Sequence, residues 1–429
     1  MTNAKASGGL VAGIGLSAMT ANLIGVVIGG GIFTLPGEIA AAMGAWAPLA
    51  YVGAAGVIGC ILLCFAEAIA RVPASGGLYG VCAAAFGPYW GWLCGALTWA
   101  ANILASAALA NAAIDAIARL WPALASPPAH TAGVALLYLL LFALNSRRIE
   151  LAARVMGLFT VAKLVPLLLF LGLGIWFITP ANLVAPLPGG HADFGRGAIL
   201  AIFIYTGMEG GLAVAGEVRD PARTIPRAIA MALAVVVALY VMVQITAQGL
   251  IGTALAGAPA PLVAALASVS PALGSLLAVG SVISITGFLT GEALNSPRIL
   301  YAAARDGLLP RALAAIEPGQ QVPRNAIACH IALAFALALS GRFETLLVIG
   351  TLAALSVYAI GCAAALRLRA VGMELAGPVT ELRVLKPAAL VAFAAIAWLM
   401  AQSTRAEATA LAIFWMIVSL LFLLRRRLP

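Results

Sequence analysis

Charge is what this sequence has least of. Asp, Glu, Lys and Arg together make up 9% of its 429 residues, against roughly a quarter in a soluble domain. A chain so poor in charge cannot cover a water-facing surface. No long polar stretch is present that would form a separate soluble module. One membrane domain is therefore expected, although the length alone would suggest about three soluble ones. Histidine is scarce as well. His130, His191 and His330 show no metal-ligand spacing, and two of them fall in outer loops. The six cysteines (Cys60, Cys64, Cys82, Cys94, Cys329 and Cys362) lack paired metal spacing and sit mostly in apolar runs. They read as small packing residues, not as ligands or disulfides. A phosphate loop, a nucleophile elbow and a zinc signature are all missing, so neither a cofactor nor covalent chemistry is expected. A single lysine, Lys5, precedes the first apolar run, and no small-residue cleavage site follows it. No cleaved signal peptide is expected, and the first span is itself the targeting element.

What fills the chain instead is apolar. Hydrophobic residues make up 63% and the mean hydropathy is +1.08, so lipid must be the outer solvent. At about 20 residues per crossing, spans are expected near 15–40, 46–70, 88–116, 132–146, 151–178, 197–216, 228–251, 272–301, 324–341, 343–366, 386–403 and 406–424. The division near 341–343 is the least distinct. The net charge of +9 resides in short loops between these runs, which argues against nucleic acid as a partner. With the N-terminus inside, four basic residues fall outside: Arg119, Arg196, Arg342 and Arg405. Lys163 falls within a span, and the remaining nineteen of 24 fall inside. That asymmetry supports a topology with both termini cytoplasmic, in the plasma (inner) membrane. A wrong count by one span would scramble it.

Two spans are interrupted. The first carries GVVIGGGIFTLPG, with Gly29, Gly30 and Gly31 at mid-membrane depth. The sixth carries FIYTGMEGG, with Gly207, Gly210 and Gly211 around Glu209. Each opens a five-span half, 15–178 and 197–366, and two further spans follow over 386–424. Glycine-interrupted helices at matching places in two halves point to a transporter binding site, because unwound backbone at that depth must line a cavity or be buried in protein.

The same segments resemble the amino acid–polyamine–organocation superfamily of transporters. IGGGIFTLPG is similar to its first-span motif. AEAIARVPASGGLYGVCAAAFGPYWGW is similar to its loop between the second and third spans. YTGMEGGLAVAGEVRDPARTIPRAI is similar to its sixth span and the loop after it, and SPRILYAAARDGLLP to its eighth-span exit. Four blocks in order cover nearly the whole chain. The resemblance implies an all-α membrane protein of twelve helices, with a five-plus-five inverted repeat and broken helices 1 and 6. It also implies a secondary transporter of amino acids working by alternating access, with spans 1, 2, 6 and 7 rocking against 3, 4, 8 and 9. Transport of polyamines or other amines, and a sensor that binds without flux, are the alternatives.

Candidate residues follow. Three consecutive glycines exceed what small-residue helix packing needs, and freed N–H groups at a helix break bind anions. By resemblance, Ile28, Gly29, Gly30, Gly31 and Ile32 hold a substrate carboxylate. Carbonyls around Phe203, Ile204, Tyr205 and Thr206 hold its amine, and Phe203 is the aromatic gate. Lys163 is a charge within a span, which marks function by default. The resemblance places it where sodium-coupled relatives hold the ion, tying the fifth span to the broken first span and implying sodium independence. Glu209 follows the sixth-span break. It either exchanges protons, as in some relatives, or is a structural carboxylate bonded to the unwound backbone. Glu292 falls mid-membrane where relatives have a substrate-facing residue. It would pair with a cationic substrate, carry a proton or pair with an arginine. Asn102 either faces the pocket or bonds between helices. Glu67, Glu217, Arg219, Asp220, Arg305 and Asp306 at the cytoplasmic ends read as an inner-gate and loop charge network, and in part simply as positive-inside residues. The expected partners are a small amino acid or amine, the bilayer and possible coupling protons, with no required protein partner. A channel would want a repeated pore-lining ring and an intramembrane enzyme a polar catalytic constellation; neither is seen.

Overall fold

A computed structural model describes residues 14–72, 77–146, 163–184, 192–316, 322–340, 343–373 and 383–426. Among them every regular element is helical, apart from one isolated β-bridge between Ile14 and Val218. In chain order the α-helices are α1 (Leu16–Val27), α2 (Gly31–Met43), α3 (Ala47–Arg71), α4 (Gly77–Phe86), α5 (Pro88–Ala118), α6 (Pro127–Asn145), α7 (Leu164–Gly174), α8 (Pro180–Leu183) and α9 (Phe194–Tyr205). There follow α10 (Pro221–Ile251), α11 (Pro261–Ala267), α12 (Pro271–Asn295), α13 (Pro297–Arg305), α14 (Arg324–Ala338), α15 (Phe343–Ala370), α16 (Leu385–Ala401) and α17 (Arg405–Arg426).

Helix occurs in each of the twelve expected segments. Seven helical stretches are long and apolar enough to cross a membrane, and four apolar helices of 10–17 residues are shorter. Residues 151–162 of the fifth expected span, the division at 341–342, and Lys5, Arg147, Arg148, Arg154 and His191 lie outside the described residues.

Proline accounts for several boundaries that hydropathy misplaces. Pro221 and Pro127 stand at the starts of α10 and α6, where a missing N–H costs nothing. Both helices therefore begin before the apolar run does. Pro297 divides the expected 272–301 span into α12 and α13. The short helices α4, α8, α11 and α13 connect the longer ones and were not anticipated.

The bundle is apolar outside as well as inside. Leu139, Leu168, Leu390, Trp398, Met416 and Leu420 are all exposed on its surface, as expected where lipid replaces water. The long helices α15 and α5 are the most deeply enclosed, whereas α6 and α17 are peripheral.

One polar knot joins α9 to the last helices. Arg196 bonds Glu344 through Nε at 2.5 Å and Glu407 through Nη1 at 2.7 Å. Glu407 in turn closes a capping box with Thr404: the Thr404 N–H donates to its carboxylate at 2.8 Å, and the Glu407 N–H donates to Thr404 Oγ1 at 3.3 Å. Arg196→Ala leaves the buried Glu407 without its cation. We expect a loss of about 1–3 kcal/mol of stability, read as a lower melting temperature in detergent. At the other end Arg71 bonds Glu67 at 2.9 Å, and Arg369 reaches the same oxygen at 3.3 Å. Tyr79 donates to Asp306 at 3.2 Å.

Candidate functional site: a cavity between two broken helices

The first span breaks between Val27 and Gly31. Ile28 takes an extended conformation (φ −71°, ψ 98°) and α2 restarts after Gly30. A helix end leaves its last carbonyls without intrahelical donors, and here they are met individually. Ile24 O accepts from the Ile28 N–H at 3.1 Å. Gly25 O accepts from Lys163 Nζ, and Val27 O accepts from the Tyr240 hydroxyl at 3.2 Å. Lys163 thus places a cation at the negative end of the α1 dipole, on the residue just before α7.

Tyr240 belongs to a stripe. Tyr240, Gln244 and Gln248 recur at four-residue spacing along α10, so they share one helix face. Gln244 Nε2 donates to Pro36 O at 3.2 Å, and Gln248 Nε2 donates to Gly44 O at 2.6 Å. One face of α10 therefore follows both halves of the broken span, from Val27 to Gly44. The Tyr51 hydroxyl of α3 donates to Gln244 Oε1 at 2.8 Å, and the Tyr205 hydroxyl of α9 donates to Tyr51 O at 3.1 Å. Polar residues every fourth position in an otherwise apolar run were the available sequence signal for this stripe, and it was missed.

The sixth span breaks after Tyr205. Thr206 caps the end twice, its N–H at 3.0 Å and its hydroxyl at 2.6 Å from Phe203 O. Both lone pairs of that carbonyl are then used, and the break leaves the other carbonyls of this last turn without the donors that a continuous helix would supply. Gly207 follows at φ +97°, a conformation that strains any residue with a Cβ. Its N–H donates to Glu209 at 2.9 Å. Glu209 therefore holds the unwound backbone. A short 3-10 helix, Met208–Glu217, continues the chain, and Asn22 of α1 bonds Gly211 O at 2.9 Å.

The two breaks face one cavity of about 90 Å³, room for a small solute by comparison with the volume one water needs. Of the expected site residues, Gly29, Gly30, Gly31, Asn102, Phe203, Ile204, Thr206 and Glu209 line it. Thr98, Phe288, Val357 and Tyr358 line it too and were not anticipated. Ile28, Ile32 and Tyr205 are fully buried in the surrounding core and are not lining residues. Lys163 stands behind the cavity on Gly25. Asn102 also reaches across to the residue that caps α12, donating to Ser296 Oγ at 2.7 Å. Glu292 is turned from the cavity toward His330 Nε2, 2.9 Å away. Among the described residues no arginine bonds it, and it does not line this cavity.

The sequence profile of a family described as "Amino acid permease" matches residues 14–424. This chain belongs to the amino acid permease family. The permease is 28% identical over 350 residues to the serine/threonine exchanger SteT of Bacillus subtilis, with 77% of each chain covered. It is 29% identical over 370 residues to the methylthioribose transporter of the same organism, covering 80% of this chain and 79% of that one. It is also 29% identical over 330 residues to the branched-chain amino acid permease BcaP of Lactococcus lactis, covering 71% and 70%. The permease is therefore a multi-pass membrane protein of a transporter family.

Proposed function

We propose that this permease carries a small neutral amino acid across the plasma membrane by alternating access, without sodium, either with a proton or in exchange for a second amino acid. In this reading it crosses the membrane twelve times. Two inverted five-helix halves, 15–178 and 197–366, are followed by two more spans over 386–424, and both termini are cytoplasmic.

The observation that carries the reading is the meeting of two opposite helix ends on one cavity. The N-terminus of α2, with the backbone of Gly29, Gly30 and Gly31, offers N–H groups to a carboxylate. The C-terminal end of α9, with the Ile204 carbonyl, offers an acceptor to an ammonium. An α-amino acid carries both charges a few ångströms apart. The rest of the lining is mostly apolar, and its one carboxylate, Glu209, is already engaged by Gly207. That favours a neutral side chain. SteT and BcaP are named for neutral amino acids, which agrees with it. The Lys163 ammonium on Gly25 O supports sodium independence, since a fixed cation already serves the broken end.

Hydrogen bonding supports the division into moving parts. Spans 1, 2, 6 and 7 (α1–α2, α3, α9 and α10) are linked through Tyr240, Gln244, Tyr51, Tyr205 and Asn22. Spans 3, 4, 8 and 9 (α5, α6, α12 and α14) are linked by Asn102–Ser296, Ser106–Tyr138 at 3.2 Å, Trp99–His330 and His330–Glu292. Around the cavity the groups meet through Leu109, Ile285 and Phe288 against the glycines, an apolar contact that can slide without stranding polar atoms. From Gly31 to Gly37, α2 is wholly buried, whereas Val26, Gly207, Gly210 and Asn295 are exposed. With cytoplasmic termini, this is an inward-facing arrangement.

The test is uptake of a labelled amino acid panel into proteoliposomes, preloaded or empty, with and without an inward proton gradient. Uptake that needs preload alone means exchange, and gradient-driven uptake into empty vesicles means symport. No uptake from folded protein under either condition overturns the reading.

A further inference from the structure

Apart from the cavity, three side chains from three helices form a polar chain inside the bundle. The Trp99 indole of α5 donates to His330 Nδ1 of α14 at 3.2 Å, and His330 Nε2 lies 2.9 Å from Glu292 Oε2 of α12. The His330 and Glu292 side chains are 1% and 5% exposed. The second carboxyl oxygen, Oε1, is buried and has no hydrogen-bond partner among the described residues.

An indole N–H can only donate. His330 Nδ1 must therefore accept, so the imidazole carries its one proton on Nε2 and gives it to Glu292 Oε2. While the Trp99 bond stands, the Nδ1 lone pair is occupied by the indole N–H. The carboxylate then holds the only charge of the triad, at a depth where charge is costly, with one oxygen unanswered. Among the described residues only His330 forms an ion-pair contact with it. From α6 the Tyr138 hydroxyl shares a hydrogen bond of 3.2 Å with Ser106. The helices α7 and α11 bring no titratable side chain. Arg298 of α13 directs its guanidinium to Leu294 O and Asn295 Oδ1.

We infer that Glu292 Oε1 is a proton-binding site of the transport cycle, and that Trp99 and His330 are positioning residues that direct the proton there. The proton adds to a lone pair of Oε1, and the triad becomes neutral. This rests on the transporter reading above and assigns its coupling ion to one atom. The link to the cavity is a single face of α12. Ile285, Phe288, Glu292 and Ser296 recur at three- and four-residue spacing. Ile285 and Phe288 press on Gly30 and Gly29, and Ser296 holds Asn102. A charge appearing or vanishing midway along this face acts on the surface that slides against the broken helix. Asn295, next to the Asn102 anchor, is exposed, so water reaches this end of the face.

Two measurements test it. Infrared difference spectra of the purified protein are recorded across a pH titration for wild type, Glu292→Gln and His330→Gln. A protonated-carboxyl band that titrates in wild type and vanishes in Glu292→Gln is expected. His330→Gln, whose amide can still accept from Trp99 and donate to Glu292, should keep the band at a shifted midpoint. The same band in Glu292→Gln, or no such band in wild type, overturns the inference whether or not transport is seen. In proteoliposomes, gradient-driven accumulation by Glu292→Gln should fall to the level seen without a gradient. Accumulation equal to wild type overturns the proton site but leaves the transporter reading intact, whereas absence of all amino acid uptake by wild type overturns that reading alone.

Discussion

Gly30→Val is expected to abolish amino acid binding. A Cβ on Gly30 would stand 3.1 Å from Ile285 Cγ1 and 3.2 and 3.3 Å from the two Leu109 methyls. All these atoms lie in the buried core. Alanine would require shifts of a few tenths of an ångström, which the ends of two aliphatic side chains can supply. Valine adds two more methyls where α2 must present its first N–H groups to the cavity. Overpacking of this kind costs about 1–3 kcal/mol, and each 1.4 kcal/mol is about tenfold in affinity. Blocked backbone approach adds to that. The expected series is a modest loss for Gly30→Ala and no measurable binding for Gly30→Val, by scintillation proximity or thermal shift with the transported amino acid. Wild-type affinity in Gly30→Val would remove the first-span break from the binding site.

Lys163→Ala should reduce transport by roughly tenfold or more. The ammonium answers the Gly25 carbonyl at the end of α1, where a hydrogen bond from a charged donor is worth about 1.5–3 kcal/mol and the helix dipole adds to the attraction. Alanine leaves that carbonyl unpaired and releases the break from the fifth span. Lys163→Arg keeps the charge but not the compact donor, so intermediate flux is expected. Initial uptake rates, normalised to reconstituted protein, decide the matter. Unchanged flux in Lys163→Ala would reduce the lysine to packing.

The two breaks were legible because a membrane imposes a hard rule on backbone. Clustered glycines inside an apolar run have no use in a straight helix, so Gly29, Gly30 and Gly31 and then Gly207, Gly210 and Gly211 announced themselves. Lys163 stood out for the same reason, as a charge where charge is costly. Helix positions were legible from hydropathy, with errors where proline, not polarity, set the boundary, as at Pro221 and Pro297. Glu292 was legible as an oddity but not in its partnership. His330 sits 38 positions away and looked isolated, although an ionisable residue in a span was itself the clue. Tyr240, Gln244 and Gln248 were overlooked because each alone is unremarkable in an apolar helix.

Composition and local pattern were sufficient for the solvent and for the places where helices must break, because each depends on a transfer energy or a conformational preference carried by neighbouring residues. Which carbonyl Lys163 answers, which way Glu292 turns, and which glycine carries the Leu109–Ile285 contact depended on the packing of helices distant in sequence. A hydrogen bond needs its donor and acceptor within about 3 Å, and no local pattern specifies which of many buried partners will arrive at that distance.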